Sequence, residues 1–510
     1  MKKFQSLIAC LIMVFAFSSC SSQGSIPQSN DSTGEQAQSK PLEIRMTVRL
    51  FDQVPDMNNA YWQEYQKRTN TKLDVEWIPD GDYTTKLNLI LASGQIPEVL
   101  VANNSNNLNN PAFLNAVQNK AFKDLTDILG DFSKYPNLKG NVAPNAWVTS
   151  KVLGRNYGVP QNVPTVQSGP IIREDLVKEA GMEMPVAMDE LLDVVEAVLK
   201  LHPDMIGIVS KQDMFINANG GFAAAYGNDA PYYNEEGGLV SNKLSPSFTE
   251  FVKYMKRAYE RGLLSQEFSV MKPTQATELF QSGKAVVMLN ESIRWCYAFT
   301  ESLKKIKPDA SAQFTAPLEG NPGFYSSSKG TGVVDSMFIA SSVSEEKTLQ
   351  ILDYFERTTT QEFYDLTTYG VEGIHYNLDE NGYKVATPLR DAEMGSSAPW
   401  QVLPLVYNPY MKVDSTAAPE AYNMAERELF KSYGYEEKGM TDPFAVATSQ
   451  TWIGIWPKYS QEWASMAVQA TVGQISIEDY EAYVAKINQA DDIRQSYMEF
   501  AESYKNVFGE

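Results

Sequence analysis

Apolar and polar positions in the first part of the chain predict strands that alternate with helices. Ile44–Leu50 is rich in β-favouring side chains, and residues 73–77 alternate apolar and acidic positions, as in a half-buried strand. Apolar side chains recur at helical spacing in residues 58–69 and 82–92, and residues 96–101 form a third strand-like run. The order strand, helix, strand, helix, strand predicts a parallel sheet with crossover helices.

A second series of alternating elements begins near Gly169. Residues 171–172 form a short apolar strand, and residues 173–180 are predicted to form a helix that ends at Gly181. Further elements follow, namely helices at 191–199 and 248–259, strands at 285–289 and 333–340, and mostly helices in about the last ninety residues. These elements place the chain in the α/β class.

The length of the chain indicates two lobes. The 510 residues exceed what one hydrophobic core of typical size organises, even without the amino-terminal segment. We expect one lobe to comprise residues 42–165 and about 314–395, and the other to comprise residues 166–313 and about 396–510.

The amino terminus resembles an export signal. Lys2 and Lys3 precede the apolar run Leu7–Phe17, which is too short to span a bilayer, and Cys20 follows small residues. This pattern predicts a signal peptide over residues 1–19 that ends in a lipobox, with lipid attached to Cys20. An ordinary signal peptide with an incidental cysteine is the alternative.

Residues 20–41 are predicted to tether a folded body to the extracytoplasmic face of a bacterial cell membrane. Ser, Gln, Asn and Gly dominate this segment, so it has too few apolar side chains to pack. After processing, Cys296 is the one cysteine left in the body, which excludes an internal disulfide. The apolar and aromatic neighbours of Cys296 favour a buried, inert thiol.

The net charge of the chain argues against one class of binding partner. The formal net charge of −20 argues against nucleic acid, which needs a basic surface to neutralise phosphates. Two histidines lack the context of a catalytic triad, and no phosphate-binding loop or zinc spacing is present in the sequence. We therefore expect neither a cofactor nor catalysis.

Five segments carry motifs of a known family. In chain order they are Leu91–Val99, Gly154–Pro160, Ile172–Pro185, Phe280–Ala285 and Tyr369–Tyr376. They resemble motifs of the extracellular solute-binding lipoproteins of ABC importers, in the carbohydrate-binding branch related to maltodextrin-binding proteins. The resemblance implies a two-lobe periplasmic-binding-protein-like fold with a hinge and an interlobe ligand cleft. It also implies an oligosaccharide ligand, permease subunits of the importer as partners, and a monomer.

The chain departs from one subgroup of this family. Many of its members carry a calcium-binding insert after the helix that ends here at Leu201, but the join His202–Met205 is too short to enclose calcium. Asn381-Gly382 between strand-like runs indicates a hairpin turn. We predict no metal at either place.

Candidate ligand-binding residues come from loops after strands and from family position. Sugars need aromatic platforms together with amides, carboxylates and guanidinium groups. The candidates are Asn103, Asn104, Trp147, Arg173, Tyr226, Asn290, Glu291, Arg294, Trp295, Trp400 and Trp452. Two choices stay open: Asn103 and Asn104 either contact ligand or form a solvated turn, and Arg173 either binds a hydroxyl or uronate or locks the cleft rim through a carboxylate.

Two other classes compete with a transport protein. A secreted glycan-cleaving enzyme needs two carboxylates, which any acidic sequence contains. The other class is a surface adhesin or structural lipoprotein without a transporter. The sequence does not name the sugar, and a peptide ligand is a further alternative.

Overall fold

Five strands form the first large sheet of the computed structural model, which describes residues 40–103, 110–210, 221–395 and 397–508. The spatial order is β2-β1-β3-β10-β4. The strands are β1 Leu42–Leu50, β2 Thr71–Pro79, β3 Val99–Asn103, β4 Gly158–Asn162 and β10 Val333–Ile339. Strand β1 is parallel to β2 and β3, as the strand–helix alternation predicts, whereas β10 runs antiparallel between β3 and β4.

Four strands form the second large sheet, in the spatial order β6-β7-β5-β8. They are β5 Gly169–Ile172, β6 Ile206–Ser210, β7 Ala285–Glu291 and β8 Gln313–Phe314. Strands β6 and β7 are parallel, and β5 is antiparallel to both β7 and β8. The carboxyl ends of β6 and β7 therefore lie at the same edge of this sheet.

Two short pairs complete the described strands. Strands β11 Tyr376–Leu378 and β12 Lys384–Ala386 form the hairpin predicted around Asn381-Gly382. Strands β9 Ser328–Lys329 and β13 Met440–Thr441 pair in parallel.

Helices surround the two sheets. Those of eight or more residues are Ala60–Thr69, Asp80–Ser93, Pro111–Gln118, Met188–Leu201, Pro246–Glu260, Pro273–Gln281, Trp295–Lys304, Glu345–Thr358, Gln361–Tyr369, Glu420–Tyr433, Gln450–Thr471, Ile477–Asn488 and Asp491–Phe508. Shorter helices are Thr126–Leu129, Pro136–Gly140, Ala146–Thr149, Glu174–Glu179, Pro388–Met394 and Tyr435–Lys438. Short 3₁₀ helices are Ala224–Tyr226, Asn242–Leu244, Ala398–Val402 and Pro443–Ala445.

Local sequence explains where several helices begin and end. Asn59 accepts a hydrogen bond from the Trp62 amide at the start of Ala60–Thr69, and Ser476 forms a capping box with Asp479 at the start of Ile477–Asn488. Gly262 follows the end of the helix Pro246–Glu260 and has φ +70°, a backbone conformation that favours glycine. In the described residues, no helix combines the length and apolar character needed to cross a membrane.

Each sheet has its own hydrophobic core. Around the first sheet, Val48 of β1 and Met337 of β10 are buried together with Trp62 of the helix behind them. Around the second, Val287 of β7 is buried with the helices that include Trp463. Trp62 and Trp463 are each at most 1% exposed, so both lie in the core.

The chain passes between the two sheets at three places. Residues 163–168 join β4 to β5, and residues 315–332 lead from β8 to β10. The third place follows Met411 of the first core, where the chain continues to Val413, which is buried with residues of the second sheet. Residues 398–405 pack in the core of the first sheet, within the stretch that we assign to lobe 2. The lobe boundaries themselves remain predictions.

Two buried amide side chains at the end of β4 attach the segment 400–405 to the first sheet. Gln161 Nε2 donates to the carbonyl oxygens of Trp400 at 2.5 Å and Leu403 at 2.9 Å. Asn162 Nδ2 donates to the Leu405 carbonyl at 2.8 Å, and its Oδ1 accepts from the Ala143 amide at 2.8 Å. These bonds satisfy backbone groups that otherwise lose water without replacement.

The hydrogen bonds of Asn162 are expected to stabilise the folded protein. In Asn162→Ala, the Leu405 carbonyl and the Ala143 amide lose these buried partners, so we expect the free energy of unfolding to fall by about 2–4 kcal/mol. Urea titration followed by circular dichroism measures the change. The control Asn381→Ala, in an exposed hairpin turn, is expected to shift it by less than about 0.5 kcal/mol. Equal effects in the two variants would contradict the role of Asn162.

Candidate functional site

A cavity of about 520 Å³ lies between the loops that follow β1 and β7. Ligands of open α/β sheets bind outside the carboxyl ends of strands, and this cavity meets two such ends, one from each sheet. Its volume lies within the range of small-molecule sites. The lining residues are Asp52–Asp56, Arg294, Trp295, Ala298, Arg390–Gly395, Trp400 and Ser415–Ala417.

The end of β7 is shaped by Asn290, which adopts the left-handed conformation at φ +57°. Its Nδ2 donates to Ser210 Oγ at the end of β6, at 3.1 Å. The following Glu291 is buried, and its Oε1 accepts from the Ser292 amide at 2.8 Å. These bonds set the direction in which the chain enters the helix that begins at Trp295.

A guanidinium group between two indoles forms one wall of the cavity. The Cζ atom of Arg294 lies 5.8 Å from the Trp295 ring centre and 5.9 Å from that of Trp400. Such contacts are attractive because the ring face carries negative charge. The Arg294 amide donates to the Lys412 carbonyl at 2.8 Å, which fixes the base of the side chain.

Arg294 carries a charge that no ion pair neutralises within the described residues. Burial lowers the pKa of Arg294, Glu291 opposes that effect, and Arg390 adds to it. The guanidinium still stays protonated, as arginine does in proteins. The cavity therefore contains a positive group with hydrogen-bond donors to offer.

The opposite wall depends on Asp52. Its carboxylate accepts from the Ser397 amide at 3.0 Å and from Ser397 Oγ at 3.1 Å. A Cβ atom at Gly395, which has φ +64°, would lie 2.8 Å from Asp52 Oδ2, so this close approach requires glycine. The contact ties the loop after β1 to the segment that leads to Trp400.

Arg390 is a structural cation of the same wall. It is 4% exposed and donates from Nε and Nη2 to the Thr368 carbonyl at 3.1 and 2.9 Å. Its Nη1 pairs with Asp391 at 2.7 Å. The hydrogen-bond donors of Arg390 are therefore occupied by protein groups, whereas Arg294 has no ion pair among the described residues.

The sequence matches a family model described as bacterial extracellular solute-binding protein over residues 55–361, more than half of the chain. The chain belongs to this family. The resemblance inferred from the five motifs is confirmed.

Relatives of this solute-binding protein include two from Bacillus subtilis (strain 168). The polygalacturonan/rhamnogalacturonan-binding protein YtcQ is 28% identical over 357 residues, which cover 68% of this chain and 69% of YtcQ. The lipoprotein LipO is 26% identical over 353 residues, which cover 66% of this chain and 67% of LipO.

A solved structure shows the same fold. The alginate-binding protein AlgQ2 without calcium ion superposes with a TM-score of 0.63 at 16% identity, covering 92% of this chain and 98% of that chain. The predicted fold class, a two-lobe periplasmic-binding-protein-like α/β fold, is confirmed.

Three of the predicted site residues, Arg294, Trp295 and Trp400, line the cavity of this solute-binding protein. Asn290 and Glu291 lie just before them at the end of β7. Trp295 keeps 37% of its surface exposed, as a stacking platform requires.

Other predicted residues lie elsewhere. Trp147 donates from Nε1 to the Leu138 carbonyl at 2.7 Å and packs against the first core. Trp452, a candidate ligand-binding residue, lies in the helix Gln450–Thr471, stacked on Trp456 with ring centres 4.4 Å apart. These packing and hydrogen-bonding contacts account for both indoles without a ligand.

Arg173 and Tyr226 are also set apart from the cavity lining. Arg173 forms two 2.8 Å bonds with Asp175, near the amino end of β7, so the carboxylate partner considered in the sequence is present. Tyr226 is 8% exposed and packs beside Tyr254. Asn104 falls outside the described residues, and Asn103 is described only as the last residue of β3.

Sequence reasoning missed the other half of the lining. Asp52, Arg390, Glu393 and the segment 415–417 come together from distant parts of the chain. One local signal was available, since Asp52 follows a predicted strand in the same way that Asn290 does. The sequence around Arg390 and Glu393 contains no pattern that predicts their position beside the cavity.

A larger cavity, of about 790 Å³, lies near Met205 and Lys284, at the amino ends of β6 and β7. Its lining contains no aromatic side chain, so it offers no stacking platform for a sugar ring. In the described part of the chain, no three His, Cys, Asp or Glu side chains group as a metal site would require. Cys296 is buried, as predicted, and burial raises the pKa of its thiol.

Proposed function

We propose that this protein captures an oligosaccharide in the cavity between the loops after β1 and β7 and delivers it to the permease of an ABC importer. The observation that carries the proposal is the group Arg294, Trp295 and Trp400. It combines an exposed aromatic face with a cation that lacks an ion pair among the described residues. Both lie in a cavity at the carboxyl ends of strands from two sheets.

This combination suits a sugar. The apolar face of a pyranose ring stacks on an indole, while guanidinium donors and carboxylate acceptors bond to its hydroxyl groups. A uronate would form a charge-assisted bond to Arg294. The named ligands of YtcQ, polygalacturonan and rhamnogalacturonan, support a carbohydrate class.

Binding is proposed to select a closed arrangement of the two lobes. A ligand that contacts both walls of the cavity stabilises the state in which the walls approach each other. The loop after β1 and the loop after β7 belong to different sheets, and three chain crossings join these sheets. The permease would recognise the closed state.

We propose binding without catalysis. Glycosidases need one carboxyl that holds a proton and one that is ionised. Each of the four cavity carboxylates has a hydrogen-bond donor. Asp52 accepts from Ser397 and Asp56 from the Asn58 amide, while Asp391 accepts from Arg390 and Glu393 from His375. Each carboxyl group is thus the acceptor of an existing hydrogen bond, which argues against its use as the proton donor to a glycosidic oxygen.

The protein is proposed to act as a monomer at the extracytoplasmic face of the membrane, anchored by lipid on Cys20. This residue lies outside the described part of the chain. Support comes from the lipobox-like sequence and from LipO, a relative named as a lipoprotein.

A thermal-shift experiment tests the function. The body from residue 40 is mixed with neutral β-linked oligosaccharides, such as xylotriose and cellotriose, and with trigalacturonate. A ligand that binds only the native state raises the melting temperature. We expect either the neutral oligosaccharides or trigalacturonate to raise it. Trp295→Ala removes the stacking platform, so we expect it to weaken the affinity for that ligand about tenfold or more.

The control is Tyr232→Ala, which removes another exposed ring outside the cavity lining. It is expected to leave the oligosaccharide affinity unchanged. If no oligosaccharide raised the melting temperature, a peptide ligand or an adhesin would be favoured. If both variants lost affinity equally, this cavity would not be the binding site.

A further inference from the structure

His375 and Glu393 form a buried pair beside the cavity. The imidazole of His375 is 0% exposed, and its Nε2 lies 3.2 Å from Glu393 Oε2. The Glu393 side chain is 22% exposed, and the residue lines the cavity. The buried imidazole of His375 thus contacts the Glu393 carboxylate, which faces the proposed ligand.

Backbone hydrogen bonding determines which imidazole nitrogen carries the proton. The Val371 amide lies 3.0 Å from His375 Nδ1, and an amide N–H can only donate. Nδ1 is therefore the acceptor, so the neutral ring carries its hydrogen on Nε2. Nε2–H then donates to Glu393.

The ring has no room to turn away. A Cβ atom at Gly370, where φ is +85°, would lie 2.5 Å from His375 Cβ, so the backbone approaches the side chain closely. Tyr61 packs edge-on against the imidazole, with ring centres 6.1 Å apart. The direction of Nε2–H is fixed by this packing.

Glu393 is held at one oxygen only. Oε2 also accepts from the Tyr61 amide at 3.3 Å, in the first turn of the helix Ala60–Thr69, where the helix dipole favours a negative charge. Asn59 Nδ2 fixes the backbone by donating to the Glu393 carbonyl at 2.8 Å. Within the described residues, Oε1 has no hydrogen-bond donor.

We propose that Glu393 Oε1 accepts a hydroxyl hydrogen of the bound oligosaccharide, and that His375, as the Nε2–H tautomer, is the residue that positions this carboxylate. The inference rests on the proposed function. An ionised carboxylate only accepts hydrogen bonds, so this subsite selects a hydroxyl and rejects a carboxylate or sulfate of the ligand.

The tautomer is tested on the protein without ligand. The chain has two histidines, so long-range ¹H–¹⁵N spectra contain two imidazole patterns, and His202→Gln identifies the pattern of His375. We expect the Nε2–H pattern near neutral pH. A hydrogen on Nδ1 would overturn the positioning role whatever the protein binds.

The acceptor role is tested by calorimetric titration with whichever of xylotriose, cellotriose and trigalacturonate binds the wild type. Glu393→Gln preserves shape but replaces one acceptor oxygen, and we expect about tenfold weaker binding. His375→Asn retains an amide near Nδ1 but loses the donor at Nε2, and a loss of about fivefold or more is expected. His375→Gln, whose amide reaches the Nε2 position, is expected to bind within about threefold of the wild type.

His202→Asn is the matched control, since it breaks the other His–Glu contact, with Glu179 at 3.2 Å on the surface. It is expected to leave affinity unchanged. Wild-type binding with unchanged affinity in Glu393→Gln would overturn this inference and leave the proposed function intact. Equal losses in His375→Asn and His375→Gln would show a merely structural histidine, and absence of wild-type binding would overturn both proposals.

Discussion

The hydrogen bonds from two buried amides, Gln161 and Asn162, are the interaction on which the site depends. They bind the carbonyls of Trp400, Leu403 and Leu405, a segment about 240 residues away in sequence. This segment brings Trp400 to the cavity, and the chain then continues to Val413, which is buried with Ile171 and Met288 of the second sheet. Without these bonds, one wall would lose its attachment to the sheet that carries the loop after β1.

The two arginines of the cavity differ in their contacts, and we propose that they differ in role. Arg390 uses its donors on a backbone carbonyl and on Asp391, so it stabilises the wall. Arg294 stands between two indoles without an ion pair among the described residues, so its donors are available to a ligand. This difference between the two arginines is why we propose that Arg294, rather than Arg390, contacts the ligand.

Much of the fold follows from local patterns in the sequence. Alternation in residues 73–77 and the apolar run in 285–289 predicted β2 and β7, because burial of one face or of a whole strand dictates those patterns. Arg294 and Trp295 were found because they follow a predictable strand. Glu393 and Arg390 were not, since their proximity to Asp52 arises from contacts more than 300 residues apart in sequence. Trp452 was misplaced because its polar neighbours conceal a helix that packs on Phe500.

The most direct test of the central claim is a crystal structure of the body from residue 40 with a bound oligosaccharide. The account predicts a sugar ring on Trp295, within the cavity between the loops after β1 and β7, with hydroxyl or carboxylate oxygens at Arg294. An oligosaccharide bound instead in the larger cavity near Met205 and Lys284, with the first cavity empty, would contradict it.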